Sequence, residues 1–418
     1  MAEILFGIGL LVFLSLSFTA IFKRTLVPDV LLLILLGIVL GPAVLGWVKP
    51  SDFGKIGGVM STIALVVILF ESGTTLDIDL LAKMLKTTLS LAISTFAGTV
   101  LIITATAYWG LHLDARMSFL LGLILSSISP AVVIPIAKSL QMKEPAMTVL
   151  ILESGLTDVL SIVMVFSVME SPEGVFHAPK MLGTVLSSLV FAGVIGMAGG
   201  LAWAAVLNAV RQFPNTSFAV FAWVFILYGI ADMMGFSGAI AALAFGASMV
   251  NYDRLPLHNV KIFQQHEFGS LNSADMEFYH EVIFLLKTFF FVYLGLSIKF
   301  ENPIYLLIVL GVVVVVYLVR LGIVTKVMRG VSPGWEESYE LSVMAPKGLA
   351  AAVLASVPLE RGMAGGEVIQ SFSYFVVLVS IVLTAGLIPL MRRPAVGRMA
   401  RKLYGFEEVV EEAAPQPE

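Results

Sequence analysis

Leu152-Glu153-Ser154-Gly155-Leu156-Thr157-Asp158-Val159-Leu160-Ser161 lies in the middle of an otherwise apolar run, residues 147–169. A helix of about 20 mostly apolar residues crosses a bilayer, and this run is long enough. On a helix, Ser154, Asp158 and Ser161 share one face through i, i+4, i+7 spacing, and Glu153 and Thr157 share the adjoining face. Half of the helix is then polar at mid-depth. A charged side chain there costs at least about 2.5–3.5 kcal/mol on insertion scales, so this half must face protein or water. An apolar span with a polar interior face belongs in a bundle of many such spans.

Composition agrees. Of 418 residues, 58% are hydrophobic and 13% charged, and there is no cysteine. Soluble domains carry about 25% charged residues. One soluble core of this length could not hide so much apolar surface, whereas lipid solvates the outer face of a membrane bundle. Disulfide scaffolds, thiolate metal sites and cysteine nucleophiles are excluded. The net charge of −4 says little about partners, and no basic cluster has the size or the aromatic interleaving of a nucleic-acid surface. The start, Met1-Ala2-Glu3, lacks the basic region of a cleaved signal, so the first apolar run reads as a span.

The predicted spans are 3–22, 29–47, 56–72, 86–108, 117–137, 147–169, 181–209, 216–233, 236–251, 279–298, 304–328, 338–359 and 369–391. The pair flanking Asp232-Met233-Met234-Gly235 could also be one kinked helix. An all-α membrane protein of about thirteen helices results, with residues 1–403 as the membrane unit and 404–418 as a short acidic tail. With the N-terminus outside and the C-terminus inside, 16 basic residues fall in inside segments and six outside. That asymmetry follows the positive-inside rule and points to a multi-pass protein of the cell (inner) membrane. Lys287, Arg320 and Lys347 fall within spans, as do Glu153, Asp158 and, near a helix end, Asp232. The loop at 252–278 is a candidate regulatory segment, and the five histidines read as surface residues in or near loops.

Leu69-Phe70-Glu71-Ser72-Gly73-Thr74-Thr75-Leu76 ends the third span, and the similar Val292-Tyr293-Leu294-Gly295-Leu296-Ser297-Ile298 ends the tenth. Seven spans separate them, an odd number, so the two copies run in opposite directions. Inverted six-helix repeats follow, spans one to six against eight to thirteen. The fifth and twelfth spans then correspond, and each has a breaker near its middle, Ser129-Pro130 and Pro346-Lys347-Gly348. Proline removes an internal hydrogen bond and clashes with the preceding turn, which favours broken helices whose freed backbone groups face a cavity.

Chemistry at mid-depth centres on Asp158. Removal from water favours the protonated form of a carboxylate, so such a group holds either a proton or a cation. Thr157, Ser129, Ser154 on the Asp158 face and carbonyls at the break supply the oxygen ligands that suit a small hard metal cation. One carboxylate contested by two ions gives coupled exchange without a cofactor. Glu153 reads as one half of a buried structural pair with Arg320 or Lys347. Lys347 can offset the negative C-terminal end of a half-helix. Lys287 either counter-charges the core or pairs with Glu281.

At these residues the chain resembles the monovalent cation:proton antiporter superfamily, and within it sodium/proton exchangers of the first family, prokaryotic type. The resemblance runs over about residues 5–395. It is carried in order by Leu36-Gly37-Ile38-Val39-Leu40-Gly41-Pro42, Leu69-Phe70-Glu71-Ser72-Gly73, Glu153-Ser154-Gly155-Leu156-Thr157-Asp158, Phe291-Val292-Tyr293-Leu294-Gly295, Arg320, and Ala345-Pro346-Lys347-Gly348-Leu349-Ala350. It implies a thirteen-helix antiporter fold, a homodimer with an elevator-like core, Asp158 as ion carrier, Glu153–Arg320 as conformational pair and electroneutral exchange. Departures touch the ligands: Thr157 where the family usually has Asn, Ile128-Ser129-Pro130 where it has Thr-Asp-Pro, and Lys347 where it has Arg. The family's residue at the position of Lys287 is usually not basic. Sodium is the default cargo, with potassium and lithium as alternatives.

Rival classes fit less well. An intramembrane aspartyl protease needs two facing carboxylates. A sodium-coupled organic anion symporter would have about ten spans and a roomier site. A channel needs a filter that is not visible here. A transport-inactive membrane sensor shares every feature above except turnover.

Overall fold

The computed structural model describes residues 2–25, 27–53, 55–74, 78–143, 146–170, 178–211, 213, 216–251, 271–298, 303–329, 334–391 and 393–404. Most of the 252–278 loop and the tail beyond Tyr404 lie outside them. Among the described residues every regular element is helical.

The helices are α1 (Ala2–Thr25), α2 (Asp29–Leu40), α3 (Lys55–Thr74), α4 (Ile78–Gly110), α5 (Ala115–Ile124), α6 (Pro130–Leu140), α7 (Ala146–Glu170) and α8 (Ala178–Val210). Then come α9 (Thr216–Met233), α10 (Gly238–Asn251), α11 (Ser273–Ser297), α12 (Pro303–Val327), α13 (Trp335–Val343), α14 (Leu349–Glu360), α15 (Gly366–Leu390) and α16 (Pro394–Tyr404). Six of them contain a segment long and apolar enough to cross a membrane unaided, for example Ala146–Met169 and Ile304–Val327. Several of the others are shorter apolar pieces.

The predicted fifth span is the pair α5 and α6, and the twelfth is α13 and α14, each parted by an extended segment. α5 starts on Asp114, whose carboxylate accepts from the N–H groups of Arg116 and Met117. Pro130 occupies the first turn of α6, where its missing N–H leaves nothing unsatisfied. The stretch around Asp232 divides two separate helices, not one kinked helix. The chain turns there through Gly235 at φ +77°, a conformation that favours glycine. Asp232 is exposed in the last turn of α9, so it does not belong with the buried charges.

Two groups of helices result. α2, α3, α9, α10 and α11 pack together, with α8 laid along α10, and α4 to α7 pack with α12 to α15. Two tight crossings hold the first group. A methyl group on Gly37 of α2 would overlap the Val292 carbonyl of α11, and one on Gly295 would overlap the Ile34 carbonyl of α2. In the other crossing, a methyl on Gly73 of α3 would overlap the Leu243 carbonyl of α10, and one on Gly246 the Phe70 carbonyl of α3. Each glycine thus meets the carbonyl three residues before its partner glycine. The two crossings share one register, as inverted repeats require if α2 matches α10 and α3 matches α11. Close backbone approach through small residues is how helices associate where lipid gives no hydrophobic drive.

Candidate functional site

The two extended segments cross in the second group. The Ser129 N–H donates to the Pro346 carbonyl at 2.9 Å. Gly348 lies so close to Ser129 that a Cβ there would overlap the Ser129 hydroxyl, so a side chain at 348 would push the crossing apart. α7 passes beside the first break. The Ile128 N–H donates to Thr157 Oγ1 at 3.2 Å, and Ser161 Oγ donates to the Leu123 carbonyl at 2.7 Å. The Ile128 N–H loses its helical partner where α5 stops and in a dry interior needs a replacement, whereas the Leu123 carbonyl, which also accepts from the Ser126 hydroxyl at 2.6 Å, gains a further tie to α7. Thr157 in turn donates to the Ser154 carbonyl at 3.2 Å, and Ser154 to the Ile151 carbonyl at 2.9 Å.

Asp158 is 5% exposed. Ser127 neighbours its carboxyl group and Lys347 acts on it through charge. Its Oδ1 is buried and has no hydrogen-bond partner among the described residues. A buried carboxylate oxygen left in this way is costly unless a proton or a cation completes it. Ser129, Ser154, Thr157 and Lys347 are all buried around the same crossing.

Glu153 is fully buried one turn away. Arg320 of α12 meets it with two parallel hydrogen bonds, 2.6 Å to Oε1 and 2.9 Å to Oε2, and donates through Nε to the Leu341 carbonyl at 2.9 Å. Thr95 of α4 donates to Glu153 Oε1 at 2.9 Å. This forked geometry joins α4, α7, α12 and α13 at one point. Arg320, not Lys347, is therefore the partner of Glu153. The Lys347 backbone N–H donates to Ser380 Oγ at 2.9 Å.

Lys287 does not pair with Glu281. Its amine lies 2.9 Å from Asp29 Oδ2 of α2, and Glu281 is exposed on the same helix. Asp29 escapes sequence reading because it follows Pro28 at a span boundary and looks like a loop residue. Glu340 also escapes, although it lies inside the 338–359 segment, where any acidic residue is a signal. It is buried in α13 beside Glu337, which pairs with Lys143 at 3.3 Å. His280 is exposed near the N-terminal end of α11, and its Nε2 faces Glu71 at 3.3 Å.

A cavity of about 340 Å³ runs between α3, α6 and α11. It reaches Pro130 and Ala131, adjoining Ser129, at one end and Lys138, His280 and Glu71 at the other, with Lys287 on its wall. The cavity therefore extends along α6 to the residues next to the crossing.

Known proteins resemble this chain in sequence and in fold. The sequence model described as "Sodium/hydrogen exchanger, transmembrane" matches residues 10–393. The Na(+)/H(+) antiporter 1 of Methanocaldococcus jannaschii is 25% identical over 368 residues, 83% of this chain and 81% of its own length. The K(+)/H(+) antiporter NhaP2 of Shewanella sp. (strain MR-4) is 22% identical over 380 residues, and the match spans 89% of this chain but 63% of that relative. The solved structure of the sodium proton antiporter MjNhaP1 from M. jannaschii at pH 8 has a TM-score of 0.72 at 23% identity, covering 96% of this chain and 98% of that one. Its fold is shared here. With the family's sequence pattern running over nearly the whole length, the chain is a multi-pass membrane protein that belongs to the transmembrane sodium/hydrogen exchanger family.

Proposed function

We propose that this protein is a secondary antiporter that exchanges a monovalent cation for protons by alternating access at Asp158. The buried Oδ1 of Asp158, without a partner among the described residues and beside two broken helices, carries the reading. One carboxylate cannot hold a proton and a metal cation together, so each ion displaces the other. Alternate exposure of that carboxylate to the two sides then couples the flows. Thr157, Ser129 and Ser154 supply neutral oxygens toward the cation, and carbonyls of the extended segments complete its shell. The Glu153–Arg320 fork holds α7 against α12 as a strut, and Lys347 offsets negative charge at the second break. The cavity ending at Pro130 is the access path from one side.

Sodium is the first cargo to test, then potassium and lithium. The cation and proton are substrates, and this scheme draws on side chains and backbone alone. A cell-membrane setting with the N-terminus outside and the C-terminus inside rests on the excess of basic residues in the segments that alternation groups with the C-terminus, and contacts within that group agree with the alternation. Lys143 reaches Glu337, and Arg211 reaches Asp275, each joining ends that alternation puts on the inner side. Residues 1–403 form the membrane unit in this proposal, 404–418 a cytoplasmic tail, and two copies a homodimer.

The test is reconstitution into vesicles with a trapped pH dye, adding each alkali salt in turn. Dye recovery with at least one of them supports antiport. No response to any, from protein shown to be folded, overturns it and leaves the organic anion symporter and the transport-inactive sensor.

A further inference from the structure

The second break is held by the same device as the first. Where α13 stops, the freed groups include the Val343 carbonyl and the Lys347 N–H. α15 meets them with two hydroxyls four residues apart: Lys347 N–H donates to Ser380 Oγ at 2.9 Å, and Thr384 Oγ1 donates to Val343 O at 3.2 Å. Thr157 and Ser161, also four apart, meet Ile128 N–H and Leu123 O in the first half. Even the back-bonds match. Thr157 donates three residues back to Ser154 O, and Ser380 donates three residues back to Val377 O at 2.9 Å.

The likeness stops at the carboxylate, because Asp158 follows Thr157 whereas Ile381 follows Ser380. The second clamp therefore holds a break without carrying an ion. It is also reinforced. The Tyr317 hydroxyl of α12 lies 2.7 Å from Thr384 Oγ1 and 2.9 Å from the Ser380 carbonyl, to which it donates. Ser380 and Thr384 are fully buried, so no solvent can replace a lost hydroxyl.

We propose that Ser380, backed by Thr384 and Tyr317, is a positioning residue for the cation site in the opposite repeat. It fixes the Lys347 N–H. The preceding residue, Pro346, receives the Ser129 N–H, and the following one, Gly348, packs against the Ser129 side chain. Ser129 thus takes its place from an extended segment that Ser380 anchors. This inference rests on the reading of Asp158 and Ser129 as cation ligands.

Ser380→Ala removes one oxygen and nothing else. In the vesicle exchange assay it should raise the cation KM about three- to ten-fold, the size of one lost hydrogen bond, with a smaller effect on maximal rate per folded protein. Ser380→Thr, which keeps the hydroxyl, should restore KM. In a Ser129→Ala background, Ser380→Ala should raise KM little further, since the displaced ligand is already gone. Thr384→Val, nearly isosteric, should act in the same direction and serves if Ser380→Ala fails to fold. A purely structural clamp would lower the yield of folded protein while leaving KM unchanged. That result, or independent effects of Ser129→Ala and Ser380→Ala, overturns the proposal. Asp158→Asn run alongside separates the two readings. If it still exchanges, the ion site is wrong. If it is dead and Ser380→Ala keeps a normal KM, only the positioning role fails.

Discussion

Arg320→Met is the substitution whose cost the geometry specifies best. It removes three hydrogen bonds at once, two to the Glu153 carboxylate and one to the Leu341 carbonyl. Glu153, fully buried, keeps only the Thr95 hydroxyl as a partner among the described residues. Removing one side of a buried ion pair costs about 3–5 kcal/mol, because the remaining charge is stranded. Glu153→Gln strands the guanidinium instead and should cost somewhat less, about 3 kcal/mol, since an amide oxygen still accepts one bond. The two changes share one cause, so Glu153→Gln with Arg320→Met should cost at least about 2 kcal/mol less than the sum of the singles. Denaturation of detergent-purified protein, followed by tryptophan fluorescence with size-exclusion recovery as a second reading, measures all four corners of the cycle. Additive effects, or single changes costing under about 1 kcal/mol, would refute the strut. So would a Glu153→Gln protein of normal stability that has lost transport.

The two glycine crossings should respond alike. Gly295→Ala and Gly73→Ala each drive a methyl into a facing carbonyl, and each should destabilise by at least about 1–3 kcal/mol, the range typical of overpacking, read as a lower melting point in detergent. Gly229→Ala, inside α9 where nothing lies within 4 Å, is the control and should not destabilise. Lys287→Gln should destabilise by about 1–3 kcal/mol by leaving the Asp29 carboxylate short of its charged partner, and Asp29→Asn added to it should recover part of the loss.

The elements most legible in the sequence are those set by local chemistry. Pro130 and Pro346-Lys347-Gly348 announce breaks because proline cannot continue a helix, whatever the fold around it. Polar residues inside an apolar run, such as Asp158 and Arg320, stand out for the same reason. What is harder to read depends on partners far apart in the chain. Asp29 and Lys287 are 258 positions apart, and nothing near either one marks the other. Ser380 and Thr384 look like ordinary small polar residues in a span until Lys347 and Val343 are placed beside them. The register that pairs Gly37 with Gly295 and Gly73 with Gly246 is a property of helix crossings, although the glycines at 73 and 295 align in the repeat. α16 had a sequence signal of its own. Gly397, Ala400 and Tyr404 recur on one face while Arg398, Arg401 and Lys402 occupy another, yet in a basic segment after the last span this reads first as charge.

The central claim is that one carboxylate, Asp158, carries both ions. The most direct measurement is uptake of radioactive sodium, or of rubidium as a potassium tracer, into vesicles under an imposed pH gradient, comparing wild type, Asp158→Glu and Asp158→Asn at matched amounts of folded protein. Wild type should accumulate the tracer, Asp158→Glu should retain measurable exchange with altered cation affinity, and Asp158→Asn should fall to the level of empty vesicles. Wild-type uptake by Asp158→Asn would contradict it.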